Sequence, residues 1–195
     1  MKAPEKSDHS NSLPLLVGPR EIRLRRIVLT GFMGSGKSTV GPIVAQRLGW
    51  NFVDVDDVIA EEAGCSIPEI FRNEGEMEFR RRERETIGRL AGSDGLAGEK
   101  GLVLALGGGA IEDAVTRGLL LKNPETLVVH LEVKLATTLA RCKGSEDLRP
   151  VLADEANLAS RYERRLPLYR MANVSLNVDT LTPDEVAEAI VRAAK

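Results

Sequence analysis

Residues 26–40 read RIVLTGFMGSGKSTV, and the fold follows from how that run divides. Ile27, Val28 and Leu29 make a short apolar, partly β-branched segment, which is the mark of a buried strand. Residues 30–36 form a turn with three glycines. From Lys37 onward, Val40, Ile43, Val44 and Leu48 recur at helical spacing. Gly31-x4-Gly36-Lys37-Ser38 thus has the spacing of a phosphate-binding loop, in the strand–loop–helix setting that the pattern requires. Glycines let successive backbone N–H groups converge on one concavity, which suits an anion. The helix behind adds the positive end of its dipole. Lys37 can reach the β- and γ-phosphates of a nucleotide, and the Ser38 hydroxyl can ligate Mg²⁺.

Outward from this loop, strands and helices alternate. A short strand is predicted over 51–54, then a helix over 58–64 closed by Gly64. Ser66 and Glu69 have the spacing of a capping box, and a long charged helix runs through 78–90. Residues 102–106 are continuously apolar and read as a buried strand that ends at Gly107-Gly108-Gly109. A helix over 112–121, a buried strand over 126–131 and a helix over 133–142 follow. Residues 143–156 are polar and irregular. Residues 158–171 read as a helix interrupted by Pro167, and 174–178 as a last strand. A closing helix over 183–194 has Pro183 in its first turn. Five strands alternating with helices imply a parallel sheet covered on both faces. Residues 1–24 are polar and read as a disordered tail ahead of a single domain over 25–195. Arg20, Arg23, Arg25 and Arg26 read as a solvated edge of the first strand.

Composition narrows the function. The chain has 195 residues, 43% of them hydrophobic, enough for a buried core. Its 27 basic and 29 acidic residues leave a net charge of −2, which gives no support for nucleic-acid binding. No apolar run has membrane-spanning length, and no apolar block follows Lys2 and Lys6 as a secretory signal needs. Cys65 and Cys142 lie far apart and read as reduced thiols of a cytosolic protein rather than a disulfide or a metal pair.

The acids and bases that could work on a nucleotide are few. Asp54 and Asp56 flank the end of the second strand. Ligands of open parallel sheets sit at the carboxyl ends of strands, so both belong near the phosphate loop. If the strand persists, a spacing of two puts them on one side. Transfer of a phosphoryl group needs one acid for the magnesium shell and another to hold the acceptor hydroxyl and take its proton. No aspartate follows either later apolar strand, so Asp54 is the metal-side acid. Asp54, Asp56 and Asp57 could instead cap the next helix, and Asp57 is expected to do only that. Gly107-Gly108-Gly109 can let the backbone approach a ligand closely, or be an ordinary turn. Arg80, Arg81, Arg82 and Arg84 lie among Glu76, Glu78, Glu83 and Glu85 at helical spacing and read as a solvated, paired face. An arginine of a polar loop, such as Arg149, can close over a transferring phosphate, or be a surface charge.

Taken together, the blocks GFMGSGKST, FVDVDDVIAEEAGCSIPEIF, EGEMEFRRRE, LALGGGAI, LRPVL, RRLPLY and VDT resemble the shikimate kinase family, from about Ile27 to Ala194. The resemblance implies a three-layer α/β P-loop NTPase fold of the nucleoside-monophosphate-kinase type, with a five-stranded parallel sheet and a mobile lid near 143–156. It implies ATP as co-substrate and Mg²⁺ as cofactor, with phosphorylation of the 3-hydroxyl of shikimate. Gly34, Ser35, Gly36, Lys37, Ser38 and Thr39 would hold the ATP phosphates, with Ser38 and Asp54 on the metal. Asp56 would hold the acceptor hydroxyls and serve as base. Arg80 and Arg165 would clamp the carboxylate, since a planar fork matches that group bidentately. Gly108 would offer its N–H to the substrate, Glu83 would hold neighbouring arginines, and Arg149 would be the lid arginine. A cytoplasmic monomer with small-molecule partners, and neither nucleic-acid nor membrane partners, completes the expectation. Three features depart from the family pattern. The tail before Ile27 has no counterpart in short family members. The 141–149 segment is slightly longer than in many relatives, which leaves Arg141 without a role. No basic residue follows Val178-Asp179-Thr180, so adenine contacts are unassigned. Another small-molecule kinase of the same fold, such as a gluconate kinase, and a nucleotide-binding regulator without turnover are the rival readings.

Overall fold

The computed structural model describes residues 23–92, 100–142 and 155–195, and side chains at all of these except 155 and 156. Its centre is a five-stranded sheet in the order β2-β3-β1-β4-β5. The strands are β1 (Arg26–Thr30), β2 (Asn51–Asp54), β3 (Leu102–Ala105), β4 (Thr126–Glu132) and β5 (Val174–Asn177). Every neighbouring pair is parallel, with Ile27 opposite Val103 on one side and Leu127 on the other. Helices α1 (Lys37–Leu48), α2 (Val55–Ala63), α3 (Ile67–Asn73), α4 (Gly75–Ala91), α5 (Ala114–Leu121), α6 (Leu135–Cys142), α7 (Glu155–Tyr169) and α8 (Pro183–Ala193) make the connections.

The alternation of side chains along β1 explains the three layers. Ile27 and Leu29 point to one face and pack with Val40 and Val44 of α1 and Val186 and Ile190 of α8. Val28 points to the other and packs with Ile59, Ile70, Phe79, Ile87 and Leu90 of the helices between β2 and β3. All of these side chains are at most 4% exposed. At about 1.5–3 kcal/mol for each large side chain buried, this packing is what holds these helices against the sheet. The edge strands β2 and β5 are only part-buried, as parallel edges must be.

Several predicted boundaries move, for identifiable reasons. Helix α2 starts at Val55, three residues early, because Asp54 serves as its N-cap and accepts the Asp56 N–H at 3.1 Å. The second strand therefore does not persist to Asp56. Residues 110–112 form a separate 3-10 turn, and Asp113 caps α5. Pro167 does not interrupt its helix; α7 runs through it to Tyr169. The residues on either side of it are held by tertiary contacts, Arg165 to Glu112 and Tyr169 to Gly108, which outweigh one missing backbone bond. Arg26 is not on a solvated edge: it is 2% exposed, with Glu125 at 4.0 Å. The capping box of Ser66 and Glu69 is present, and both cysteines are free thiols.

Parallel strands end on one edge. The chain therefore delivers the phosphate loop after β1, Asp54 at the end of β2 and the triple glycine after β3 to the same place. The predicted tail (1–22 of its residues) and the predicted lid (all but its last two residues, which open α7) lie outside the described residues.

Candidate active site

The phosphate loop holds its shape through backbone conformations that only glycine adopts without strain. Gly34 and Gly36 sit at φ +70° and +93°, in the left-handed region. Gly36 is the N-cap of α1 and brings no side-chain cap. The first helical N–H groups thus remain available to an anion. Lys37 is buried, and its Nζ donates to the Gly31 carbonyl at 2.9 Å and the Phe32 carbonyl at 3.2 Å, with Ser35 Oγ at 3.4 Å. The ammonium is held by the loop that it must serve.

Asp54 does two jobs at once. One oxygen caps α2, and the other accepts the Ser38 hydroxyl at 2.6 Å. The capping and metal-side readings of this residue are therefore compatible. Asp57 is exposed in the first turn of α2. No group of three or more His, Cys, Asp or Glu among the described residues is arranged to hold a metal by itself. The Ser38–Asp54 pair suits Mg²⁺ all the same. Both oxygens are hard donors, and this ion takes one or two protein ligands while phosphates and water fill the rest.

Across from the loop lies a cluster of opposite charges around the buried Glu83. Arg80 Nη1 donates to Glu83 Oε2 at 2.6 Å, and Nη2 to Glu76 at 3.3 Å. Glu83 is 2% exposed; burial pushes its carboxyl above the ordinary 4.5 against the pull of Arg80. Burial also raises Asp56 above 3.8, reinforced by Asp54 and opposed by Lys37 and Arg80. Asp56 Oδ1 and Glu83 Oε1 are both buried without a protein partner. A methyl group on Gly107 would stand 2.7 Å from the first and 2.6 Å from the second. One on Gly109 would stand 2.5 Å from Arg80 Nη1 and 2.6 Å from its Cζ. Close approach is the need at these two glycines. At Gly108, the one singled out from the sequence, the same methyl would have ordinary clearance, 3.7 Å from the Tyr169 hydroxyl.

Arg165, on α7, is 6% exposed. Its Nε donates to Glu112 Oε2 at 2.9 Å, and its Nη2 lies 2.7 Å from the same oxygen. The Tyr169 hydroxyl, one turn on, donates to the Gly108 carbonyl at 2.5 Å.

One cavity of about 780 Å³ collects these groups. Gly34, Ser35, Gly36, Lys37, Ser38, Thr39, Asp54, Asp56, Arg80, Gly108 and Arg165 all line it. Arg149 lies outside the described residues. Several lining residues carried no assigned role in the sequence. Arg141 bonds the Gly34 carbonyl at 3.2 Å and the Val178 carbonyl at 2.9 Å, and so ties the phosphate loop to the segment after β5. Arg161, one turn before Arg165, lines the cavity as well. Its spacing of four from Arg165 was the signal available. Glu112, which holds Arg165 from outside this cavity, left no such signal.

Known proteins resemble this chain in both sequence and fold. The family model described as Shikimate kinase matches residues 33–195. A shikimate kinase of Sulfurihydrogenibium sp. (strain YO3AOP1) is 39% identical over 173 residues, covering 88% of this chain and 99% of that protein. One of Geobacter sulfurreducens is 43% identical over 159 residues, covering 80% and 82%. The solved structure of shikimate kinase from Acinetobacter baumannii in complex with shikimate superposes with a TM-score of 0.78 at 35% identity, over 88% of this chain and 93% of that one. With a family model over most of its length and relatives of this similarity, the chain belongs to the shikimate kinase family.

Proposed function

We propose that this chain transfers the γ-phosphoryl group of ATP to the 3-hydroxyl of shikimate, giving shikimate 3-phosphate and ADP. The observation that carries the reading is the convergence, in one cavity, of a phosphate loop, a half-buried aspartate and two arginines. An anion cradle, a hydroxyl acceptor and a carboxylate clamp are what a hydroxy acid and a nucleotide need together.

The roles follow from the chemistry of each group. N–H groups of residues 34–39 and the Lys37 ammonium hold the ATP phosphates. Ser38 and Asp54 would hold Mg²⁺, which when bound neutralises charge on the phosphates. Arg80 and Arg165 take the shikimate carboxylate, and Gly108 gives its N–H to the substrate. Asp56 accepts the proton of the attacking hydroxyl as its oxygen bonds to the γ-phosphorus. The bond from that phosphorus to the β–γ bridging oxygen breaks, and ADP leaves with the electron pair. A carboxyl raised by burial is a better proton acceptor than an exposed aspartate. Arg149, from the lid, completes the charge stabilisation. The working state is a cytoplasmic monomer with two small-molecule substrates.

An assay of ADP release with purified chain, ATP and Mg²⁺ tests this directly. Release dependent on shikimate is expected, with little release alone or with gluconate. ATP binding without shikimate-dependent release would leave a nucleotide-binding regulator instead. A second prediction concerns the close approach at the triple glycine. Gly109→Ala pushes the Arg80 guanidinium, the movable end of a side chain, off its place beside Glu83. KM for shikimate should rise roughly 10- to 100-fold, equivalent to about 1.4–3 kcal/mol. KM for ATP should stay near that of the wild type in the same steady-state assay.

A further inference from the structure

Arg165 meets the cavity in a particular pose: Glu112 holds one edge of its guanidinium, and the Tyr169 hydroxyl also bonds it. Glu112 Oε2 takes both Nε and Nη2 of Arg165, at 2.9 and 2.7 Å, while Oε1 takes Arg164 Nε at 2.9 Å. The side edge of the guanidinium is thereby occupied. Nη1 is left toward the triple glycine, 3.8 Å from where a methyl on Gly108 would stand. Glu112 does not itself line the large cavity; it lines a neighbouring one of about 250 Å³, together with Arg80 and Glu83. Its bond to a residue of the large cavity is the one to Arg165.

The backbone that carries Glu112 is fixed. Arg117 Nη1 donates to the carbonyls of Ile111 and Glu112 at 2.7 and 2.8 Å, and Asp113 caps α5 by accepting the Thr116 N–H at 2.7 Å. Burial alone would raise the Glu112 carboxyl. The pairing with Arg165, and then Arg164, outweighs it and holds the group below its ordinary value, so it is ionised at neutral pH. A fixed, charged carboxylate against a buried guanidinium is a device for orientation: it removes rotamer freedom before a ligand arrives.

We propose that Glu112 is a positioning residue for substrate recognition, which presets Arg165 so that the free end of its guanidinium, at Nη1, faces the substrate carboxylate. The carboxylate then meets Arg165 end-on, because the Nε edge of the guanidinium is occupied. This rests on the shikimate kinase reading, which the ADP-release assay on the wild-type chain tests separately.

The experiment compares the full-length wild type with Glu112→Gln, Arg165→Lys and the double variant, by steady-state kinetics and thermal unfolding. Glu112→Gln should raise KM for shikimate roughly tenfold, with kcat and KM for ATP within about twofold and Tm nearly unchanged. In the Arg165→Lys background the same change should add little, because the group that Glu112 orients is gone. An unchanged or lowered KM for shikimate, an equal rise for ATP, or a full additive rise in the double variant would overturn the proposal. Should Glu112→Gln fail to fold, Glu112→Asp, which keeps the charge but draws it back by one methylene, must show the same selective rise in KM or the proposal falls.

Discussion

Lys37→Ala should lower kcat by at least about 10²–10³-fold while the protein stays folded. The size follows from what the ammonium does in the two states of the loop. Without nucleotide its three donors go to the carbonyls of Gly31 and Phe32 and to Ser35 Oγ. With nucleotide it would trade part of that set for phosphate oxygens, which gather charge as the γ-phosphoryl group departs. A preorganised cation costs no reorganisation at that moment, and so acts mainly on the transition state. The loop does not depend on it alone. Gly31, Gly34 and Gly36 hold the left-handed conformations by themselves, and Ser35 N–H bonds the Phe32 carbonyl at 3.2 Å. Lys37→Met, which keeps the apolar stem, separates the charge from the packing and should be as inactive as Lys37→Ala. Single-turnover ADP formation is the measurement. A rate within about tenfold of the wild type in both variants would remove Lys37 from the chemistry.

What the sequence made legible, and what it did not, divides along sequence distance. The phosphate loop is a contiguous pattern, and its strand–turn–helix context is written in the same 15 residues, 26–40. The five parallel strands were legible because buried strands are short, apolar and separated by helical periods. Asp54 and Asp56 follow one of those strands directly. Arg80 could be chosen from its arginine run only through family resemblance, since charge spacing on a helix looks the same whether the face meets water or a cavity. In the fold Arg80 turns to Glu83 and Arg81 to Glu78 and Glu85. That difference is tertiary. The same holds for Glu112, which sits 53 positions from Arg165, and for Tyr169, 61 positions from Gly108. Arg26 reads from the sequence as one of a basic edge group; its burial comes from the place of β1 in the middle of the sheet. The helix through Pro167 went unseen because a local rule about proline yields to two tertiary anchors on either side.

Asp56→Asn should lose about 10²–10⁴-fold in kcat and, at neutral pH, unfold at a higher temperature than the wild type. Both outcomes come from the same buried carboxylate. Asn cannot take a proton from the attacking hydroxyl, which removes the general base. The gain in stability follows from the direction of the pKa shift: burial, with Asp54 beside it, raises the folded-state value above 3.8. Between the ordinary value and the raised one, the folded protein keeps a proton that the unfolded chain has released. Stability of the wild type therefore falls as pH rises through that window, and the full loss persists above it. Asn carries no such charge. Its amide could also donate toward Glu83 Oε1, which is buried and without a partner and lies on the same side of Gly107. The Tm difference between variant and wild type should shrink as pH is lowered through the ordinary aspartate value, below which the wild-type carboxyl is neutral in both states. The acid limb of the wild-type kcat/KM profile should lie above that value and be missing from the residual rate of the variant. Calorimetry across pH together with the rate profile makes the check. A variant that is inactive but less stable than the wild type at neutral pH would mean that the Asp56 charge is stabilised in the fold, and a variant with full activity would leave the hydroxyl's proton to another acceptor.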